Sequence, residues 1–233
     1  MQPTGGRTAV TIRALIFDFD GLILDTETPM RLSWQEIFQA NGLTVSDEQW
    51  ASLLGSSADP AEAYDLLEAH LGFGVDREAL RSHRMKRELR LLEAESVLPG
   101  VLELLTEARA EGLKLAVASS SERAWVEGLL AKHALLNRFD AVVCAEDVAR
   151  TKPAPDLYAE ALRRIDTLPS EAIALEDSEH GATAARAAGM YVIAVPNRVT
   201  ACLAFENVDA RVETLDALPL SRLIDIATGP KRT

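Results

Sequence analysis

The stretch Ala14-Leu15-Ile16-Phe17-Asp18-Phe19-Asp20-Gly21-Leu22-Ile23-Leu24-Asp25-Thr26 decides how the rest of the chain is read. Its first four residues are apolar without alternation, the pattern of a strand covered on both faces. Two aspartates then stand two positions apart, and a glycine follows. In extended backbone, residues i and i+2 project to the same side. The Asp18 and Asp20 carboxyls can therefore face one ligand at the end of a buried strand.

Similar runs recur, so that Ala14–Asp18, Leu113–Ser119, Ala141–Ala145, Ala172–Glu176 and Tyr191–Val195 form a set of candidate strands, each closed by a polar or small residue. Helical patterns alternate with the last four. One is opened by Pro99 and closed by Gly112, one has Ser121 as its expected N-cap, one follows Pro155, and one ends at Gly189. Strand–helix alternation of this kind predicts an α/β fold, a doubly wound and mostly parallel sheet with a Rossmann-like core. Between the first and second strands the pattern changes. Residues 27–96 carry only helix signals, including Ser46 and Gln49 at capping-box spacing, Asp59-Pro60 at a helix start, and the charged segment from Asp76 to Glu95. Asp25 with Thr26 is expected to cap the first of these helices. The division predicted is residues 1–26 and 97–233 as the α/β core, with 27–96 an inserted helical domain over the strand ends.

The chain has 233 residues, is 48% hydrophobic and carries a formal net charge of -12. That balance suits a globular protein and is a poor match for nucleic acid or an anionic membrane surface. With two cysteines, Cys144 and Cys202, and no C-x-x-C, neither a disulfide framework nor a zinc knuckle is indicated. No leader-like or membrane-length apolar segment is present, and the expectation is a cytoplasmic monomer.

Ligands of open α/β sheets bind beyond the C-terminal strand ends. Read in order, those ends offer Asp18 and Asp20, then Ser119, Ser120 and Ser121, then Lys152, then Glu176 and Asp177. Carboxylates clustered without histidine are oxygen ligands suited to Mg²⁺ rather than zinc. A hydroxyl and a lysine suit a phosphate group, and the backbone N–H groups of Gly21 and Leu22 could add anion contacts. The set reads as metal-assisted phosphoryl transfer, with one aspartate attacking and the other carrying protons.

Four stretches in order, Asp18-Phe19-Asp20-Gly21, Val117-Ala118-Ser119-Ser120-Ser121, Thr151-Lys152-Pro153-Ala154-Pro155-Asp156 and Leu175-Glu176-Asp177-Ser178-Glu179-His180-Gly181-Ala182, make the chain resemble the haloacid dehalogenase-like hydrolases. The likeness is to the subgroup of small-molecule phosphatases and β-phosphoglucomutase-like proteins, whose helical cap sits where residues 27–96 fall. The resemblance implies Asp18 as nucleophile and metal ligand. It implies Asp20 as general acid/base with its carbonyl on the metal. Ser119 and Lys152 would hold the phosphoryl group, Asp177 would ligate Mg²⁺, and Glu176 would do so directly or through water. The implied substrate is a small-molecule phosphate ester of the sugar-phosphate kind, and the implied reaction is hydrolysis through an aspartyl phosphate.

The alternatives are a phosphosugar mutase and a receiver-type phospho-aspartate signalling module. Mutases of this kind carry an arginine in a G-x-S-R cap loop, where this chain has Gly55-Ser56-Ser57-Ala58. The cap histidine ten residues after the second aspartate is Met30 here. Receivers lack a helical insert. His180, beside the acidic motif, reads as a helix-face histidine, and Arg81, Arg84, Lys86, Arg87 and Arg90 as a solvated basic face from which one residue could meet an anion.

Overall fold

The computed structural model describes residues 11–46, 49–50, 61–93, 96–201, 203–216 and 218–229. At its centre lie β1 (Ala14–Phe17), β2 (Lys114–Ala118), β3 (Ala141–Val143), β4 (Ala172–Glu176), β5 (Tyr191–Ala194) and β6 (Ala210–Arg211), joined in the order β3-β2-β1-β4-β5-β6 with every neighbour parallel. Phe17 is in register with Val117 on one side and Leu175 on the other. The chain builds one half of the sheet outward from β1, then returns across it to build the other half. The strand order therefore reverses at β1, and a crevice opens beyond its C-terminal end.

The helices among the described residues are α1 (Glu27–Ala40), α2 (Ala61–Leu71), α3 (Arg77–Leu92), α4 (Val101–Ala110), α5 (Arg123–Lys132), α6 (Asp156–Arg164), α7 (Glu179–Ala187) and α8 (Leu220–Thr228). Alternate residues of each strand feed opposite layers. Leu15, Phe17, Leu115, Val117, Ile173, Leu175 and Ile193 pack with α4, α5 and α8, while Ala14, Ile16, Ala116, Ala118, Ala172 and Ala174 pack with α6 and α7. The small residues of the second face let those helices sit close. Each large apolar side chain taken wholly out of water contributes roughly 1.5–3 kcal/mol, and Leu15, Phe17, Leu175 and Ile193 are completely buried.

A third apolar cluster, separate from both, joins α1 and α2 through Met30, Trp34, Ile37, Phe38, Trp50, Ala63, Tyr64 and Leu67, with Leu80 of α3 packed against it. Trp34 stacks on Phe38 at 5.3 Å and meets the Tyr64 ring edge-on at 4.7 Å. The two chain passages leading to these helices are tied together. Leu24 bridges Val97, and the Leu98 N–H donates to the Ile23 carbonyl at 2.9 Å.

The expected strands are all present, most of them one or two residues shorter than anticipated. The two-residue β6 was not expected, being too short to leave a pattern. The helix after Pro99 begins at Val101, with Gly100 as its N-cap. Ser46 and Gln49 form the reciprocal capping bonds at 2.9 and 3.2 Å, and Asp25 caps α1 by accepting from the Thr28 N–H at 2.9 Å. The Asp59-Pro60 helix start, the Gly55-Ser56-Ser57-Ala58 loop and Cys202 lie outside the described residues. Among the described residues no helix is long and apolar enough to cross a membrane.

Candidate active site

The crevice beyond β1 collects the expected residues from four segments. Asp18 directly follows β1 and is buried, with its N–H still paired to the Leu175 carbonyl at 3.0 Å. Lys152, on the loop between β3 and α6, donates to Asp18 and to Glu176, the latter at 2.6 Å. Glu176 ends β4 and is fully buried; it also accepts from the Tyr158 hydroxyl at 2.6 Å and the Ser178 hydroxyl at 3.0 Å. Asp177 is 2% exposed and accepts from Asn197 Nδ2 at 2.7 Å.

Two glycines make room for these carboxylates. Gly21 turns the chain with φ of +77°, and a Cβ there would lie 2.3 Å from Asp177 Oδ2. Gly181, in the first turn of α7, would place a Cβ 1.8 Å from Glu176 Oε1.

The electrostatics follow from burial. Asp18 is pushed up to about 8, chiefly by desolvation; Lys152 pulls it back, while Glu176 and Asp20 add to the rise. Asp177 is raised for the same first reason, reinforced by Glu27, Asp18 and Glu176 and opposed by Lys152. Burial works against the charge of Lys152, but Asp18 and Glu176 outweigh it, and its pKa is raised. Asp18, Glu176 and Asp177 each present a ligand atom within 4.8 Å of the others. Three buried carboxylates thus share the charge of one lysine. An all-oxygen donor set with surplus negative charge fits a hard divalent cation.

The Asp20 carboxylate stands apart from that group. It accepts from the Ser121 hydroxyl at 2.6 Å, the Trp125 indole N–H at 3.0 Å and the Ser119 hydroxyl at 3.3 Å.

Four expectations need correction. Ser121 does not cap α5: Glu122 is the N-cap, the Glu146 carboxylate receives the Arg123 N–H at 3.0 Å, and the Ser121 hydroxyl is spent on Asp20. The N–H groups of Gly21 and Leu22 are not turned to an anion. They close the turn on itself, donating to the Leu24 carbonyl at 2.8 Å and the Phe19 carbonyl at 3.4 Å. The Ser119 hydroxyl is fully buried between Asp20 and the Ser121 N–H. The serines that line the cavity are Ser120 and Ser121, and the Ser120 hydroxyl has no partner among the described residues. Arg84 is no solvated basic residue: it is buried, ion-paired with Glu88 and set over the Trp34 ring at 5.4 Å.

A cavity of about 550 Å³ lies between the sheet's edge and the helices α1 and α3. Asp18, Asp20, Lys152 and Asp177 form its floor, and Met30, Arg81, Arg84 and Glu88 line it from the helical side. His180, in the first turn of α7, also borders it. Glu27, raised to about 7 mainly by burial and eased by its bond to Asn197, keeps Oε2 without a partner among the described residues. Trp125, Tyr158, Asn197 and Glu27 were missed by the sequence reading. Only Asn197, in the turn Pro196-Asn197-Arg198 after a strand, carries a local signal.

Comparison with known proteins places the chain in a family. A family model described as haloacid dehalogenase-like hydrolase matches residues 15–195. YhcW of Bacillus subtilis (strain 168) is 40% identical over 214 residues, 92% of this chain and 97% of its own length. The fructose-1-phosphate phosphatase YqaB of Escherichia coli (strain K12) is 35% identical over 185 residues, 78% of this chain and 95% of that one. The crystal structure of CbbY from Rhodobacter sphaeroides in complex with phosphate matches with a TM-score of 0.72 at 28% identity, covering 91% of this chain and 99% of that chain.

Proposed function

The chain belongs to the haloacid dehalogenase-like hydrolases, and on that premise we propose that it is a Mg²⁺-dependent phosphatase of small phosphorylated metabolites of the sugar-phosphate kind. The observation that carries the reading is the meeting of Asp18, Lys152 and Asp177 on the floor of one cavity, with the buried Glu176 carboxylate bonded to Lys152 behind them. Residues 27–96 are taken as a cap over that floor.

In the proposed reaction an Asp18 carboxylate oxygen attacks phosphorus. The ester P–O bond breaks, its electron pair stays on the departing alcohol oxygen, and that oxygen takes a proton from Asp20. Water then attacks the phosphorus of the aspartyl phosphate and gives a proton to Asp20. The bond to Asp18 breaks and inorganic phosphate leaves. Lys152 offsets the charge on the phosphoryl oxygens, with the Ser120 hydroxyl beside it. Asp18, Asp177, the Asp20 carbonyl and Glu176, directly or through water, would hold Mg²⁺. The ion, when bound, supplies positive charge that eases approach of one anion to another.

Met30 lines the cavity where a mutase of this kind has histidine, which favours hydrolysis over transfer to a second substrate hydroxyl. The receiver alternative falls with membership of a hydrolase family. A panel of sugar, polyol and nucleotide monophosphates tests the reading: repeated release of phosphate from at least one, lost on chelation, is expected. Release from none, or release indifferent to chelator, would overturn it.

The charge surplus makes a second measurement informative. Asp18 titrates near 3.8 unfolded and about 8 folded. Between those values the folded chain holds a proton that the unfolded chain has lost, so stability falls as pH rises across the window. The melting temperature of the metal-free protein is expected to drop between about pH 5 and about pH 8, with Mg²⁺ raising it more at the higher pH. Equal gains at both would count against a cation among these carboxylates.

A further inference from the structure

Asp20 is gripped from the core side on both of its oxygens. Ser121 donates to Oδ2 at 2.6 Å and the Trp125 indole to Oδ1 at 3.0 Å. Trp125 stands in the first turn of α5, half-buried, with its ring packed on the apolar cluster beneath the sheet and one side bordering the cavity. An indole N–H can only donate, so its partner here must be an acceptor.

We infer that Trp125 is a positioning residue of the reaction: its indole N–H, working against Ser121 from the opposite oxygen, holds the Asp20 carboxyl in the orientation that reaches the leaving oxygen. The inference rests on the reading of Asp20 as the proton donor. A carboxyl group turns readily about its terminal torsion. The Ser121 and Ser119 hydroxyls hold Oδ2 alone, and the indole bond on the other oxygen fixes the plane of the group. Oδ2 already accepts from both Ser121 and Ser119, whereas Oδ1 accepts from Trp125 and keeps another lone-pair position for the proton that passes to the alcohol. Both donors also stabilise the carboxylate that remains once the proton has gone. The ring is held by the core, so the N–H is in place before substrate arrives, which is the condition for an orientation effect on rate.

Trp125→Phe keeps the packing of the ring and deletes the N–H. The readout is kcat/KM, which covers all steps through departure of the alcohol, for two esters: a sugar phosphate, whose alkoxide needs a proton to leave, and 4-nitrophenyl phosphate, whose phenolate does not. Trp125→Phe is expected to lower kcat/KM for the sugar phosphate by about 10-fold or more, and for the aryl ester by less than about twofold. Ser121→Ala, which leaves the core untouched, is expected to show the same split. Asp20→Asn is expected to show it most strongly, at about 10²- to 10⁴-fold on the sugar phosphate. Equal losses on both esters in Trp125→Phe, or none on either, overturn the role given to Trp125. A split in Asp20→Asn without one in Trp125→Phe refutes Trp125 alone. The absence of a split in Asp20→Asn refutes the proton-donor reading beneath it.

Discussion

Asp18→Asn is expected to abolish turnover and leave the fold intact. The amide has the shape of the carboxyl but offers no oxygen able to form the acyl phosphate. No other route is open to a substrate whose uncatalysed hydrolysis is among the slowest known, with enzymatic accelerations reaching about 10²¹-fold. A loss of at least about 10⁴-fold is expected in phosphate release. The fold should survive because the backbone pairing of Asp18 to Leu175 does not use its side chain. Lys152 also keeps Glu176 as a partner at 2.6 Å. Removing one of three buried carboxylates relieves charge, so the metal-free variant should melt no lower than the metal-free parent. Residual turnover above about 1% would refute the assigned nucleophile.

Lys152→Ala is expected to damage both activity and stability. The ammonium is buried, lies between Asp18 and Glu176, and sits over the Tyr158 ring at 5.2 Å. Loss of a group that stabilises developing charge on the phosphoryl oxygens should cost about 10²- to 10³-fold in kcat. Removing one member of a buried ion cluster costs about 3–5 kcal/mol, because the partners remain charged and unpaired. The two effects separate with Lys152→Met, which refills the space left by the truncated chain. Melting temperatures of both variants should fall further at about pH 8 than at about pH 5, where Asp18 holds its own proton. A change in turnover below twofold in either variant would remove Lys152 from the site.

Several residues of the site were legible before any coordinates because each stands where an apolar run stops. Asp18, Ser119 and Glu176 are marked by the strands they close, and the parallel strand pattern brings those ends to one edge. The separate helical cluster was legible from the absence of strand patterns in 27–96 and from capping signals such as Ser46 and Gln49. These are properties of local periodicity, backbone donors and side-chain spacing, which neighbouring residues specify among themselves.

What only the tertiary structure decided is which side chain answers which. Trp125 and Asp20 are 105 positions apart, and Lys152 and Asp18 are 134 apart. Trp125 and Tyr158 look like ordinary helix-face aromatics in sequence, yet one donates to Asp20 and the other to Glu176. Arg84 belongs to a basic run and is nonetheless buried against Glu88. Ser121 reads as a helix cap in sequence, but Glu122 is the cap and the Ser121 hydroxyl bonds across to Asp20 beyond the neighbouring strand. A residue's neighbours along the chain set its backbone, whereas the strand order β3-β2-β1-β4-β5-β6 sets its neighbours in space. Hydrogen bonds and desolvation act over a few ångströms, so the chemistry of each carboxyl was settled by that order rather than by the segment that carries it.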